Sequence, residues 1–388
     1  MLLAKLIFWL SAFGLFYIYL GYPLLIWLLA RVRPRPVKKG ECSDAVSVVI
    51  SAYNEEAVIA RKLQNLLSLQ DSARIRQILV GSDGSSDRTA AMARSVPDPR
   101  VRVFEFAERR GKASVLNDLI PQCSSAIVVL TDARQEIHPD ALGALLANFA
   151  DASVGVVSGE LVFLREQGAS VTEEGLGAYW SYEKFIRKSE SCFASVPGAT
   201  GALYAIRKEL FRPIPPATVL DDVAIPMQAV VRGARCVFEG AALVFDRASR
   251  TPDQEAIRKR RTLAGNVQLL GLYPGWLLPW RNPVWLQFVS HKVARLLSPF
   301  FMILLLAANL ALIAGGASDF LVFLVLQAAF YLASLAGWAT GSARRACKAV
   351  GLPAMFVALN WVTLLGVCDG LRGRPRPAWP RAPRHDAA

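Results

Sequence analysis

The sequence predicts an α/β domain with a mostly parallel sheet, carried on transmembrane helices. Two observations point there. Short apolar runs end in acidic turns, Gly81-Ser82-Asp83-Gly84-Ser85-Ser86-Asp87 and Thr131-Asp132-Ala133-Arg134, so strands stop there and present carboxylates at their tips. In an open α/β sheet that edge is where ligands bind. Hydrophobic residues also make up 53% of the 388-residue chain, more than an ordinary soluble enzyme carries, and the excess sits in residues 6–30 and beyond 267. The stretch between them, about 220 residues, suffices for one sizeable domain.

The first element, residues 6–30, is long enough to span a bilayer. It is too long for the apolar core of a signal peptide and lacks a small-residue cleavage pattern, so it is expected to remain as an anchor. Lys5 alone precedes it, whereas Arg31, Arg33, Arg35, Lys38 and Lys39 follow. The positive-inside rule then puts the N-terminus outside and the next domain in the cytoplasm, on the inner (cytoplasmic) membrane. Residues 1–40 are read as anchor and basic flank, and 41–266 as the catalytic domain.

From Val46 the pattern alternates. Residues 46–50 read as a buried strand, 58–69 as a helix with Leu63, Leu66 and Leu67 apolar, and 77–80 as the next strand. Residues 101–104 and 127–130 continue the strands, with 114–119 helical between them. Such alternation gives βαβ units and parallel pairing.

Beyond residue 267 the character changes. Pro279, Pro283 and Arg281 oppose a spanning helix, while Trp276, Trp280 and Trp285 suit the headgroup level, so 267–295 is expected at the membrane interface. Residues 296–314 and 320–340 predict a transmembrane hairpin with an outer loop at 315–319. Residues 350–368 are apolar too; if they span, the arginine-rich tail 372–388 lies outside, against the charge rule, so the segment is re-entrant or an exception. Residues 296–371 form the C-terminal membrane region.

The net charge of +13 gathers beside the apolar segments, including Lys292, Arg295, Arg344, Arg345 and Lys348. That is the pattern of cytoplasmic flanks against a lipid bilayer. No aromatic-basic platform or helix-turn-helix spacing accompanies it, which excludes nucleic acid as a partner. The six cysteines contain no C-x-x-C pair and the three histidines are scattered, so neither a zinc site nor a disulfide framework is indicated.

Asn54, Glu55 and Glu56 follow the first strand and Asp83 the second, where a carboxylate can accept hydrogen bonds from a base or ribose. Asp87 reads as a helix cap. Asp221 and Asp222 precede an apolar helical stretch and suit its N-terminal turn. Lys259 and Arg260 suit a basic interfacial helix.

Residues 46–56, 81–89, Arg110-Gly111-Lys112, 131–134, Gly198-Ala199-Thr200-Gly201, Asp221-Asp222 and 258–266 occur in an order that resembles the membrane-bound family 2 glycosyltransferases, relatives of cellulose, hyaluronan and poly-N-acetylglucosamine synthases. The resemblance implies a GT-A-like nucleotide-binding domain and an inverting hexosyltransferase. It would move a sugar from a UDP-sugar to a growing cell-surface polysaccharide or glycan. By the same resemblance Asp83 contacts the uridine, Lys112 lies along the nucleotide, and Asn54, Glu55 and Gly201 line the substrate site. Asp222 is the general base, with Asp221 capping or orienting beside it.

Asp132 matches the first aspartate of the family's D-x-D and is expected to hold a divalent cation, Mg or Mn. Arg134 stands in the second aspartate's place, which removes an oxygen ligand and adds a fixed positive charge. Either Asp132 holds the metal with phosphate oxygens and water, or Arg134 turns outward, or Arg134 itself neutralises the leaving diphosphate. Metal dependence is the expectation, because one carboxylate plus substrate phosphates is an ordinary Mg site. Arg258 falls where the family's Q-x-x-R-W has glutamine, Arg261 on its arginine, assigned to the donor diphosphate, and Thr262 in place of the tryptophan. That last change argues against long processive polymerisation. The alternatives are a single-sugar transferase acting on a polyprenyl-phosphate or other lipid-linked acceptor, and a non-catalytic membrane scaffold.

Overall fold

A computed structural model describes residues 1–164, 171–247, 252–339 and 348–373. Two helices, α1 (Leu2–Phe16) and α2 (Tyr22–Val32), continue into one another through a π-turn at Tyr17–Gly21. The domain then runs β1 (Val46–Ala52), α3 (Ile59–Leu67), β2 (Ile75–Asp83), α4 (Thr89–Arg94), β3 (Val101–Phe106), α5 (Lys112–Leu119) and β4 (Ile127–Thr131). It continues with β5 (Glu136–Ile137), α6 (Ala141–Ala147), β6 (Val154–Leu164), α7 (Val171–Phe193), β7 (Leu203–Arg207), α8 (Asp221–Val230), β8 (Arg235–Arg247) and α9 (Pro252–Leu272).

The strands form one sheet in the order β3-β2-β1-β4-β7-β6-β8-β5. Pairing is parallel from β3 through β4 and between β6 and β8, and antiparallel where β7 enters and at the β5 edge. Successive residues of β1 face opposite sides, as strand geometry requires. Val46, Val48 and Ile50 pack with Ile59, Leu63 and Leu66 of α3, whereas Val49 packs with Val115, Leu116 and Leu119 of α5. Both faces are therefore covered, which is why the centres of the strands, residues 48–50 of β1 and 78–80 of β2, are apolar without alternation. Full burial of each such side chain stabilises the fold by roughly 1.5–3 kcal/mol.

After α9 come α10 (Trp285–Gln287), α11 (Ala294–Ala314), α12 (Leu321–Ala339) and α13 (Lys348–Leu371). Four stretches, Leu2–Val32, Trp285–Ala314, Ser318–Ala339 and Val350–Leu371, are long and apolar enough to cross a membrane. The segment 267–295, expected at the membrane interface, also packs on the domain. α9 continues through it to Leu272, and Leu269, Trp276, Val284 and Phe288 are buried against α8 in the domain core. Trp276 stacks on Tyr273 at 4.2 Å between ring centroids, while Trp280 is 76% exposed. A helical path begins at Trp285, ahead of the expected start at 296.

The C-terminal end of α13 lies against α9. A Cβ on Gly366 would come 2.6 Å from the Leu263 Cβ, one on Gly370 would come 2.6 Å from that of Val267, and Arg260 pairs with Asp369. The end of α13 is thus beside the domain, the side the charge rule favours. The expected basic positions Arg344 and Arg345 and most of the 372–388 tail lie outside the described residues. Three tyrosines of the first helical rod reach other elements: Tyr17 bonds Ser290 at 2.7 Å, Tyr19 bonds Ser298 at 3.1 Å and Asn360 at 3.3 Å, and Tyr22 donates to Glu190 of α7 at 2.5 Å.

Candidate active site

Beyond β1 the chain turns at Asn54, whose φ of 53° is uncommon for a residue with a side chain. Its amide spans to the tip of β2: Oδ1 accepts from the Ser86 N–H at 2.8 Å and Nδ2 donates to the Ser86 hydroxyl at 3.3 Å. The Glu55 N–H donates to Thr89 Oγ1 at 2.7 Å, so the two tips are one unit. Gly84, at φ 61°, lies under the loop that follows β3, where a Cβ would come 2.4 Å from the Arg109 nitrogen. Asp83 fixes that loop: its two carboxylate oxygens accept from the N–H groups of Arg110 and Gly111, each at 2.8 Å. The residue expected on the uridine therefore already holds in place the turn that delivers Lys112. Arg109 stacks over the Tyr53 ring at 3.8 Å.

Lys112 opens α5 and reaches across two elements. Its Nζ is 2.9 Å from Asp132 Oδ1 at the tip of β4 and 3.1 Å from Asp221 Oδ2 at the start of α8. Burial alone would depress the Lys112 ammonium, but Asp132 and Asp221 outweigh it and raise it. Burial would likewise raise Asp132, yet Lys112 holds it below the usual carboxylate range. Asp222 behaves differently from both. Burial and then the Asp221 charge push it up to about 6, against the pull of Lys112 and Lys292. Its Oδ2 accepts from the Gly201 N–H at 3.2 Å, and a Cβ on Gly201 would sit 3.0 Å from that oxygen, so only glycine fits without a shift. Burial lowers Arg261, while Asp221, Asp222 and Asp132 all raise it, which puts its guanidinium within electrostatic reach of the three.

The fold thus gathers Lys112, Asp132, Gly201, Asp221, Asp222 and Arg261 at one end of the sheet. Arg134 borders this group: its charge helps to hold Asp132 down and opposes that of Arg261. The Arg134 Nε is 4.0 Å from Glu55 Oε1, and Arg258 is 3.8 Å from both Asp246 and Glu255. Among the described residues no group of three or more His, Cys, Asp or Glu could hold a metal ion. A cation here would take Asp132 as its protein carboxylate and oxygens of a bound diphosphate for the rest, which suits Mg better than a softer metal.

Two supporting residues escaped the sequence reading. Lys62 is 3% exposed and donates to Thr131 Oγ1 at 2.9 Å and to the Gln135 carbonyl at 2.8 Å, bracing the turn that carries Asp132. Its place in the Ile59, Leu63, Leu66 stripe of α3 was the available signal. Arg187 of α7 donates to Thr200 Oγ1 at 2.6 Å and Ser158 Oγ at 2.8 Å, bracing the loop that ends at Gly201. No local pattern marks it.

Residues 47–214 match the model of the family described as Glycosyl transferase family 2. Over that stretch the chain is similar to the family 2 glycosyltransferases. The chain is 26% identical over 207 residues to the poly-β-1,6-N-acetyl-D-glucosamine synthase of Staphylococcus aureus (strain COL), covering 52% of this chain and 50% of that one. It therefore spans about half the length of that relative. It is also 26% identical over 271 residues to the uncharacterized glycosyltransferase YaiP of Escherichia coli (strain K12), covering 66% of this chain and 65% of that one. Among solved structures it resembles the mannosyltransferase PcManGT from Pyrobaculum calidifontis in complex with GDP-Man and Mn2+, with a TM-score of 0.70, 21% identity, and coverage of 94% of this chain and 99% of that one. The likeness is one of fold, and its coverage takes in membrane helices as well as the GT-A-like domain.

Proposed function

We propose that this chain is an inverting hexosyltransferase that uses a UDP-sugar and extends a polysaccharide or glycan at the inner face of the cytoplasmic membrane. The observation that carries this reading is Asp222, a carboxylate pushed up to about 6, held by the Gly201 N–H, beside the Lys112 and Asp132 pair. A base near the operating pH is what deprotonation of an alcohol needs. The acceptor hydroxyl gives its proton to Asp222 as its oxygen bonds to the anomeric carbon, and the bond from that carbon to the diphosphate oxygen breaks. One displacement inverts the centre. Lys112 and Arg261 offset the charge of the departing diphosphate, and Asn54 with Asp83 hold the nucleotide side in shape. Asp132 would hold Mg or Mn together with the donor phosphates, and the cation would supply further charge neutralisation.

The primary test is Asp222→Asn with product and UDP binding measured separately. Transfer should fall by about 10²- to 10⁴-fold while UDP affinity persists; near-normal turnover would remove Asp222 from this role. For the cation, EDTA should stop transfer and Arg134→Asp should keep or tighten metal dependence. Full activity in EDTA would return the diphosphate to Arg134. Product mass with a panel of UDP-sugars separates a polymer ladder from a single increment. Thr262 at the family's tryptophan position favours the second reading, one addition to a lipid-linked acceptor.

A further inference from the structure

The start of the α11 helical path carries a cluster of charges outside the site described above. His291 is fixed between two carboxylates of α7, its Nδ1 2.9 Å from Glu190 and its Nε2 2.9 Å from Glu183. An ionised carboxylate only accepts, so an imidazole placed between two donates from both nitrogens and carries a positive charge. Arg295 also pairs with Glu183, and Tyr22 donates to Glu190. These contacts clamp the turn onto α7. Lys292, between them in sequence, makes no hydrogen bond or ion pair with the described residues, and it is one of the cations acting on the Asp222 carboxylate. Phe288 and Val289 from the same turn pack in one core with Val223 of α8, the neighbour of Asp222.

A groove of about 400 Å3 lies farther along α11, between it and α12 and α13. Pro299, Ile303, Leu306 and Leu310 form its α11 wall, and Val357 and Trp361 face them from α13. Seven residues separate Lys292 from Pro299, two helical turns, so both lie on one face, about 10 Å apart. The polar residue in the lining, Asn360, is bonded to Ser298 at 2.6 Å, at the end of the groove nearest Lys292. The apolar channel, Lys292 and the Asp222 base therefore follow one another along this helical path.

We propose that this path is the acceptor site, and that the acceptor is a lipid-linked glycosyl diphosphate whose hydrocarbon chain lies in the groove, whose diphosphate meets Lys292, and whose sugar hydroxyl reaches Asp222. The inference rests on the transferase reading above and names its acceptor class. A free hydroxyl next to a phosphate explains why one site holds both a base and a nearby cation: the base serves the nucleophile, the cation serves the anchor.

The test uses the full chain in detergent, made inactive by Asp222→Asn, and farnesyl-diphosphate-linked N-acetylglucosamine as the probe. Binding of the probe and of UDP is measured on the same samples. Lys292→Gln should weaken the probe by about tenfold, as loss of one charge-assisted contact does, and leave UDP affinity where it was. Ala307→Trp, which fills the groove from its lipid-facing wall, should weaken the probe similarly, and octyl N-acetylglucosaminide, which has no diphosphate, should bind poorly and be indifferent to Lys292. Equal probe affinity in all variants, or equal binding of the octyl glycoside, would overturn the proposal while UDP binding persists. A dimer that buries the groove, or an ordinary phospholipid that the probe cannot displace, would overturn it too. Loss of UDP binding by the unaltered protein would instead overturn the transferase reading itself.

Discussion

At Asp222 the demands of chemistry and of folding oppose each other. Its carboxyl is raised to about 6 in the folded protein, whereas an unfolded aspartate titrates at about 3.9. Folding therefore disfavours the ionised form: the penalty is full above pH 6, shrinks as pH falls, and is absent below about pH 4. Transfer needs that same ionised form, so its rate should climb through an acidic limb near pH 6. Asp222→Asn should abolish the limb along with the activity, and should stabilise the protein at pH 7.5 by up to about 3 kcal/mol, seen as a higher Tm, with little change at pH 4. Thermal scans at the two pH values check this; a lower Tm at pH 7.5 would contradict it. A second expectation concerns Arg187, which bonds to Thr200 and Ser158 beside the site. Arg187→Met should cut kcat about tenfold by loosening the Gly201 loop, without altering UDP affinity. Its pH limb should shift as well, because the Gly201 N–H no longer restrains the Asp222 carboxylate. The acidic residues of this site drew attention by their place at strand tips and a helix start, although Asp83 also has the structural task of holding the 110–111 turn. Lys62 and Arg187 drew none, because a buried cation is identified by its partners, and those lie far away in sequence.

Among the elements, the strands were the most legible, since β1 and β2 are covered on both faces and so carry three consecutive apolar residues at their centres. The switch to antiparallel pairing at β7 had no such mark: Leu203–Arg207 reads the same in either direction. The segment after α9 holds a contact that no local pattern marks: Trp276 is buried beside α8. The contact between α9 and α13 belongs at this scale too. Arg260 and Asp369 are partly exposed and contribute little, so the contact depends on the glycines that let the backbones approach. Gly366→Leu should force α13 away from Leu263, and since α9 carries Arg258 and Arg261, the KM for the UDP-sugar should rise severalfold. Arg260→Ala should leave it nearly unchanged. Equal effects of the two changes would assign the contact to charge instead.

For the whole molecule, the orientation expectation is that the domain faces the cytoplasm and the α11–α12 turn faces out. Single cysteines at Ser95, exposed on the domain, and at Ser318, in the turn, test it in a cysteine-free background. In intact cells an impermeant thiol reagent should label Ser318→Cys and spare Ser95→Cys; the reverse result would invert the orientation. The N-terminal rod of α1 and α2 carries a different consequence. Its tyrosines are fastened to Ser290, Ser298 and Glu190, on the elements that carry Lys292 and flank the site. The rod is therefore not an interchangeable tether. A foreign span of equal hydropathy grafted in place of residues 2–32 would insert and hold the domain at the membrane, yet it would leave Glu190 without its phenol and the turn at 288–293 without its brace. Such a chimera should reach the membrane in normal amount and bind UDP, while transferring sugar poorly, so that modularity of targeting and modularity of catalysis come apart in one protein.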